Sequence, residues 1–513
     1  MSSPKPAPEP IAKRNAAFSP LWLQARLDAL TPAKGRRELL LALSGGVDSV
    51  ALLAALVQLR ARRPGALRLR AVHVNHHLQP AAASWARQCR DLCRRLRVGF
   101  AVRHVRIVRR RGESLEALAR SARYAALKSA LRPGEHLVVA HHQDDQLETV
   151  LLQLMRGAGV AGLAAMPAAV PFGRGTLLRP LLTISRRALE QWADAQGLPV
   201  ILDPSNEDLR FDRNYVRHQI VPRLRARWPA AAVVASRSAR HLADAQQVLD
   251  EVAAADVAAI SSVPARGGGS AIAVAVLRSL SPPRRALALR LWLQQATGAM
   301  PDAVHLGRVL GELIDARADA LPVVAWTGAE VRRYRGHLYA LPVAVAGAAT
   351  DPRRTAAGEW HWRTQPAFEL GEAAGLPLGR LRWRRDPRGA VCERCLGTLL
   401  HVRQRRGGER LRLRRDGPRR ALKTLLQESG VLPWWRAALP LVLSQTRLVA
   451  VGDLWIDAGF RALDCTAHPG APRWRLQWEQ APPIHACEAL QASDASARPE
   501  GEHLRSRAAS RVH

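Results

Sequence analysis

Lysine is nearly missing from this chain. Of its 77 basic residues only five are lysines: Lys5, Lys13, Lys34, Lys128 and Lys423. None follows a glycine and precedes Ser or Thr, which excludes a Gly-Lys-Ser/Thr phosphate loop. Cysteine is scarce as well, and six in 513 residues exclude a disulfide scaffold. Cys89 and Cys93 stand one helical turn apart. Cys392-Glu393-Arg394-Cys395 is a lone CxxC with His401 six residues on, and without a second pair it reads as packing more readily than as a metal or redox centre. No apolar run approaches the roughly 18 residues of a membrane span. The N-terminal stretch MSSPKPAPEPIAKRN lacks the apolar core of a secretory signal. A cytoplasmic protein with no membrane partner is therefore expected. Acidic residues are outnumbered, 43 against 77, for a net charge of +34. Such a surplus points to a polyanion, most often nucleic acid. The arginines are spread along the chain, which also reflects compositional bias, so charge alone locates no site.

What is present begins with Ser44-Gly45-Gly46-Val47-Asp48-Ser49, set between the apolar runs Leu39–Leu43 and Val50–Leu59. Strand, tight loop and helix follow from that pattern. Two glycines let backbone amides approach a ligand closely. Ser44 and Ser49 offer hydroxyls, and a helix N-terminus adds partial positive charge. A carboxylate at Asp48 would repel phosphate unless Mg²⁺ stood between them. The loop is thus expected to hold a metal–nucleotide complex.

The chain is too long for one core. Residues 1–20 are expected to be disordered. From 21 to 222, strands (Leu39–Leu43, Leu69–Val74, Phe100–Ile107, Leu137–His141, Leu177–Arg179) alternate with helices (Val50–Leu59, Ala82–Leu96, Ser114–Leu131, Leu147–Met155, Arg186–Ala195). That alternation predicts a doubly wound parallel α/β sheet with ligands beyond the carboxyl ends of its strands. Residues 223–345 read as a helical middle domain with a small β element, and 346–395 as an irregular, divergent linker. Residues 396–480 read as a small α+β C-terminal domain, and 481–513 as a disordered tail.

Other constellations carry chemistry. In His141-His142-Gln143-Asp144-Asp145-Gln146-Leu147-Glu148-Thr149, Asp145 and Glu148 share a helix face. They suit a metal, a cationic amine or a base. Ser114 is an N-cap candidate for a helix on which Arg120 and Arg123 share a face and suit phosphate. The polar loop Asp203–Asp208 leads to Arg213, Asn214 and Arg217. Arg419–Glu428 reads as a basic amphipathic helix presenting Arg419, Arg420 and Lys423, followed by Trp434-Trp435. Basic residues beside aromatics suit RNA, although the tryptophans fit a core equally.

Together these motifs resemble the tRNA(Ile)-lysidine synthetases, within the N-type ATP pyrophosphatase (PP-loop) superfamily. The resemblance rests on Ser44–Ser49, Ala71–His76, Gly112–Tyr124, His141–Thr149, Arg156–Gly159 with Gly162, Leu163 and Met166, Arg179–Leu182 and Asp203–Arg217. Arg333–Tyr339 and Arg419–Trp455 extend it to later domains. It implies a Rossmann-like PP-loop domain and a two-step reaction. ATP adenylates carbon 2 of the wobble cytidine of tRNA(Ile) with a CAU anticodon, and free L-lysine then displaces AMP to give lysidine, changing the codon read from AUG to AUA. It also implies roles. Ser44, Gly45, Gly46, Val47, Asp48, Ser49 and the backbone of His73–Val74 would bind ATP, with Asp48 on its Mg²⁺. Arg120 and Arg123 would face the adenylate, and Asp145 and Glu148 would bind and deprotonate lysine. Arg213, Asn214, Arg217, Arg419, Arg420 and Lys423 would bind tRNA. A homodimer is left open. His77 stands where many relatives have Gly, and residues 346–395 match nothing in the family pattern.

Two alternatives compete. tRNA 2-thiolation by a PP-loop enzyme generally needs cysteines near the loop, and the first domain offers only Cys89 and Cys93, both within a helix. A non-catalytic basic RNA-binding protein would have no need of Ser44, Asp48, Asp145 and Glu148 together.

Overall fold

The computed structural model describes residues 18–482 and 484, apart from 32–34, 78, 108–114, 202, 261–262, 266–268, 318–319, 343–356, 374–375 and 463–470. Nearly all of both tails expected to be disordered, and the N-cap candidate Ser114, lie outside these residues. The chain divides into two compact units, 1–248 and 249–513.

The first unit runs α1 (Pro20–Leu30), β1 (Arg37–Ala42), α2 (Val47–Arg62), β2 (Leu67–Asn75), α3 (Ala82–Arg95), β3 (Gly99–His104), α4 (Leu115–Ala130), β4 (His136–Val138), α5 (Gln143–Met155), α6 (Val160–Leu163), β5 (Ala169–Phe172), β6 (Gly175–Leu178), α7 (Arg186–Ala195), α8 (Asp212–Tyr215), α9 (Val221–Arg227) and the part of α10 (Ala231–Ala259) up to Val248. The sheet order is β3-β2-β1-β4-β6-β5. All pairs are parallel except the β5–β6 edge hairpin. Only the second strand of that hairpin is legible in the sequence.

Strand β1 is central, and Leu39, Leu40 and Leu41 are wholly buried. Burial on both faces is why it reads as an unbroken apolar run and not as alternation. Each of these leucines contributes about 1.5–3 kcal/mol by leaving water. Helix α2 packs Val50, Leu52, Leu53 and Leu56 into the same core, and α3 adds Cys89, Leu92 and Cys93. Strands β2 and β4 flank β1 on opposite sides, so the chain reverses direction at β1. The crevice at such a switch point is where doubly wound sheets bind ligands.

In the second unit a five-stranded sheet, joined by helices Val274–Ser279, Pro282–Thr297 and Ala303–Arg308, forms a core around Trp292, Leu289 and Leu338. Further on, Gly358–Trp360 pairs with Leu400–Gln404, and Arg380–Arg385 pairs with Arg473–Glu479. The segment expected as a linker, where described, therefore builds sheets with the C-terminal strands. Leu381 and Trp383 alternate with arginines and face the core opposite Trp478 and Leu476.

The expected helix Arg419–Glu428 also differs. Arg419–Ala421 is a strand paired with Arg410–Arg412, and the helix is only Leu422–Glu428. Burial of Leu422, Leu425 and Leu426 fixes that shorter helix. Trp434 and Trp435 are buried, Trp434 edge-on to Tyr339 at 5.2 Å, so both belong to the core.

Candidate active site

The Gly-Gly loop leaves β1 where the strand turns into α2. Gly45 has φ +94°, and a Cβ there would stand 2.4 Å from Ile201 Cδ1 and 3.1 Å from Cys89 Sγ. Gly46 has an ordinary φ of −68° as the N-cap of α2, and a Cβ there would meet nothing nearer than Ser44 Oγ at 3.6 Å. The two glycines therefore serve different ends: Gly45 makes the turn, and Gly46 leaves room above the helix N-terminus. Gly45→Ala should lower the melting temperature and weaken ATP binding about tenfold or more, since left-handed backbone alone costs an L-residue roughly 1–2 kcal/mol. Gly46→Ala should lower the melting temperature less than Gly45→Ala does, through the poorer N-cap alone, and weaken ATP binding. Thermal melts with and without ATP check both, and equal destabilisation by the two changes would contradict the assignment.

Ser49 is buried and points inward. Its Oγ donates to Gly46 O at 3.0 Å, accepts from Gly45 N at 3.2 Å and lies 3.0 Å from Ser44 Oγ. The expectation that Ser49 offers its hydroxyl to phosphate is corrected: that hydroxyl braces the loop from within.

Asp48, in the first turn of α2, reaches across to the start of α5. Its Oδ2 lies 3.6 Å from His142 Nε2, and its Oδ1 is buried without a hydrogen-bond partner among the described residues. An orphaned buried carboxylate oxygen beside a phosphate-type loop is what a cation on the nucleotide would satisfy. Among the described residues no group of three or more His, Cys, Asp or Glu could hold a metal. One orphaned carboxylate oxygen fits an ion whose other ligands would be phosphate oxygens.

His142 is the N-cap of α5 and closes a capping box with Asp145. His142 N donates to Asp145 Oδ2 at 2.9 Å, and Asp145 N donates to His142 Nδ1 at 3.4 Å. Burial disfavours the imidazolium, but Asp145 and Asp48 outweigh it and raise the pKa of His142. Burial likewise opposes ionisation of Asp145, yet His142 and Arg213 hold its carboxyl well below the usual carboxylate range. His141 is pushed down to about 3 by burial, against Asp145, with Arg213, Arg179 and Arg123 adding to the fall. It is neutral.

His73 ends β2 and donates from Nδ1 to Leu43 O at 2.9 Å. Burial lowers its pKa against that bond, so the ring is neutral. Pairing of β1 with β2 stops at Ala42–Val72, while β3 still accompanies β2 through Asn75. Strand alternation then turns the backbone of Val74 toward the side that β1 has left.

On α4, the guanidiniums of Arg120 and Arg123 lie 5.2 and 5.7 Å from the Tyr124 ring centroid. Tyr124 in turn hydrogen-bonds buried Arg179. Burial lowers the pKa of both His76 and His141, and the positive charge of Arg123 adds to the fall.

Arg213 and Arg217 do not face outward, as RNA contacts would. Arg213 donates from Nη2 to Asp145 Oδ1 at 2.7 Å and from Nε to Glu148 Oε2 at 2.8 Å. Arg217 donates to Glu148 Oε1 at 2.7 Å, Glu148 Oε2 at 3.0 Å and Asp145 Oδ1 at 3.1 Å. Two carboxylates buried on α5 demand two cations, and the polar loop supplies them. Asn214 is structural too, donating to the carbonyls of Ser205 and Asp208 at 2.9 and 3.0 Å. Arg420 is paired with Glu428, whereas Arg419 and Lys423 are exposed. Sequence reasoning gave no role to His142, to Arg179, or to Asp144, which accepts from Arg186 N at 2.7 Å and pairs with Arg225. The run of polar residues at the start of an apolar helix was the signal for the first and last.

Comparison with known proteins extends this picture over the whole chain. A PP-loop domain family model matches residues 21–224, a TilS substrate binding domain 273–339, and a TilS substrate C-terminal domain 400–478. The tRNA(Ile)-lysidine synthase of Methylococcus capsulatus is 39% identical over 82% of this chain and 92% of its own. Those of Alkalilimnicola ehrlichii and Pseudomonas aeruginosa are each 40% identical, over 88% and 89% of this chain and 96% and 97% of theirs. The chain belongs to the tRNA(Ile)-lysidine synthase family. As a family member it is an enzyme, and its PP-loop domain implies use of ATP. The stretch between the second and third family domains, 340–399, contains the strands Gly358–Trp360 and Arg380–Arg385 of the segment expected as a linker. Among the described residues, no helix is long and apolar enough to cross a membrane.

Proposed function

We propose that this enzyme joins free lysine to carbon 2 of the wobble cytidine of an isoleucine tRNA with a CAU anticodon, forming lysidine. The supporting observation is the meeting, at one crevice, of the Gly-Gly loop, the open end of β2 and the capped start of α5, in a chain carrying all three family domains. The loop amides with Ser44 would hold the phosphates, and the Val74 backbone would pair with the adenine edge. Asp48 would hold Mg²⁺ on the nucleotide, where the ion neutralises phosphate charge.

The cytidine C2 oxygen attacks the α-phosphorus and pyrophosphate leaves. Arg120 and Arg123 would stabilise the adenylate. The lysine ε-nitrogen, after losing one proton, forms the C2–N bond as the C2–O bond to AMP breaks, and a second proton then leaves the nitrogen. Asp145 and Glu148 would bind the ammonium and take up a proton. Arg419 and Lys423 would meet RNA phosphates. All the substrates are cytoplasmic, which sets the reaction there.

The thiolation alternative is disfavoured at its own residues. Burial pushes the Cys89 thiol up to about 11, and burial with Cys89 alongside pushes Cys93 up to about 12. Such thiols are poor sulfur carriers. The test is pyrophosphate release from ATP by the purified enzyme. Release should require the CAU tRNA, and release that ignores RNA would refute the reading.

A further inference from the structure

Every oxygen of the Asp145 and Glu148 carboxylates on α5 already accepts a hydrogen bond. Asp145 Oδ1 takes Nη2 of Arg213 and of Arg217, and Asp145 Oδ2 takes His142 N. Glu148 Oε1 takes Arg217 Nε, and Oε2 takes Arg213 Nε and Arg217 Nη2. The carboxylate side chains are 8% and 3% exposed, and Arg213 and Arg217 both bond to the two of them. An incoming lysine ammonium would bring three donors to buried oxygens already in use. It can bind there only when a guanidinium leaves.

The backbone that carries these arginines is irregular. Arg213 sits on the four-residue helix α8, and Arg217 lies within a single widened π-type turn, Val216–Ile220, ahead of α9. Such turns are local register irregularities, frequent at functional sites. Asn214, tied to the carbonyls of Ser205 and Asp208, pins the loop between the two arginines. A guanidinium displaced from a carboxylate has a natural second partner in phosphate, which offers the same bidentate geometry.

We propose that Arg213 and Arg217 determine when the amine is admitted: they stand in for the lysine ammonium on Asp145 and Glu148 until a phosphate of the bound RNA draws one guanidinium away. This rests on the lysine-joining reading above. It makes lysine binding conditional on RNA, and it reconciles arginines that face inward here with an RNA-contacting role.

Equilibrium dialysis of radiolabelled lysine tests it on three samples: the wild-type enzyme alone, the wild-type enzyme with the CAU tRNA, and Arg217→Gln alone. The wild type should bind lysine about tenfold or more tightly with RNA, corresponding to an open fraction of about a tenth or less without it. Arg217→Gln should bind lysine without RNA as tightly as the wild type does with it. Lysine should also raise the melting temperature of the variant but not that of the RNA-free wild type. Equal affinity of the wild type with and without RNA overturns the proposal, as does a folded variant that binds no better than the wild type. If the variant does not fold, the wild-type pair decides. A wild type that neither binds lysine with RNA nor attaches it to RNA points instead to failure of the lysine-joining reading.

Discussion

Asp48→Asn should cut tRNA-dependent pyrophosphate release on the order of 10³-fold, equivalent to about 4 kcal/mol of transition-state stabilisation. The reasoning runs through one oxygen. Asp48 Oδ1 is buried and has no hydrogen-bond partner among the described residues, while Oδ2 faces His142. Asparagine keeps the size of the side chain but removes the charge, so the cation on the nucleotide loses its protein anchor. The fold should survive, because Asp48 makes no hydrogen bond on which α2 depends. A rapid pyrophosphate assay at saturating ATP, with a melting curve as control, measures it. Retention of more than about a tenth of the wild-type rate would remove Asp48 from the metal–nucleotide role.

Asp145→Asn should separate the two half-reactions. Transfer of lysine should fall on the order of 10²–10³-fold, within the range for loss of a positioned acid–base or charge-stabilising group. Pyrophosphate release should fall by less than about tenfold. Asparagine keeps one acceptor oxygen, enough for the bond from His142 N and so for the capping box, while its amide NH2 turns toward Arg213 and Arg217, and what is lost is the charge that an ammonium needs. Glu148 alone would then balance two guanidiniums, and a lower melting temperature is expected. Single-turnover measurement of AMP-linked RNA and of lysine-linked RNA in the same reaction resolves the steps. Equal loss in both would assign Asp145 to the scaffold.

The sheet and the phosphate-type loop were legible in sequence because both depend on local pattern. A buried central strand such as Leu39–Leu41 must be apolar throughout, and a turn with φ +94° at Gly45 needs glycine. The facing of Arg213 and Arg217 was not legible. It is set by residues 65 to 72 positions away on α5, and nothing in Arg-Asn-Tyr-Val-Arg distinguishes a cation meant for RNA from one meant for a buried carboxylate. The C-terminal unit erred in both directions. Arg419-Arg420-Ala421 carries helix-favouring residues, but antiparallel pairing with Arg410–Arg412 overrides propensity. Arg380-Leu381-Arg382-Trp383-Arg384 does alternate as a half-buried strand should, yet of its two partners Ala367–Glu369 is very short and Arg473–Glu479 lies about 90 residues on, so the run looked like irregular linker. Ser49 shows the same limit at the scale of one side chain: a hydroxyl beside a phosphate loop can aim at the ligand or brace the loop, and only three-dimensional partners decide.

The most direct test of the enzyme's proposed chemistry is transfer of radiolabelled lysine to RNA. The full-length enzyme would be incubated with ATP, Mg²⁺ and either isoleucine tRNA bearing the CAU anticodon or the same tRNA with its wobble cytidine replaced by uridine. Label should appear on the first RNA at the wobble nucleoside, with AMP and pyrophosphate formed in equal amounts, and not on the second. Folded enzyme that leaves the cytidine-bearing tRNA unlabelled, or that labels both RNAs alike, would contradict it.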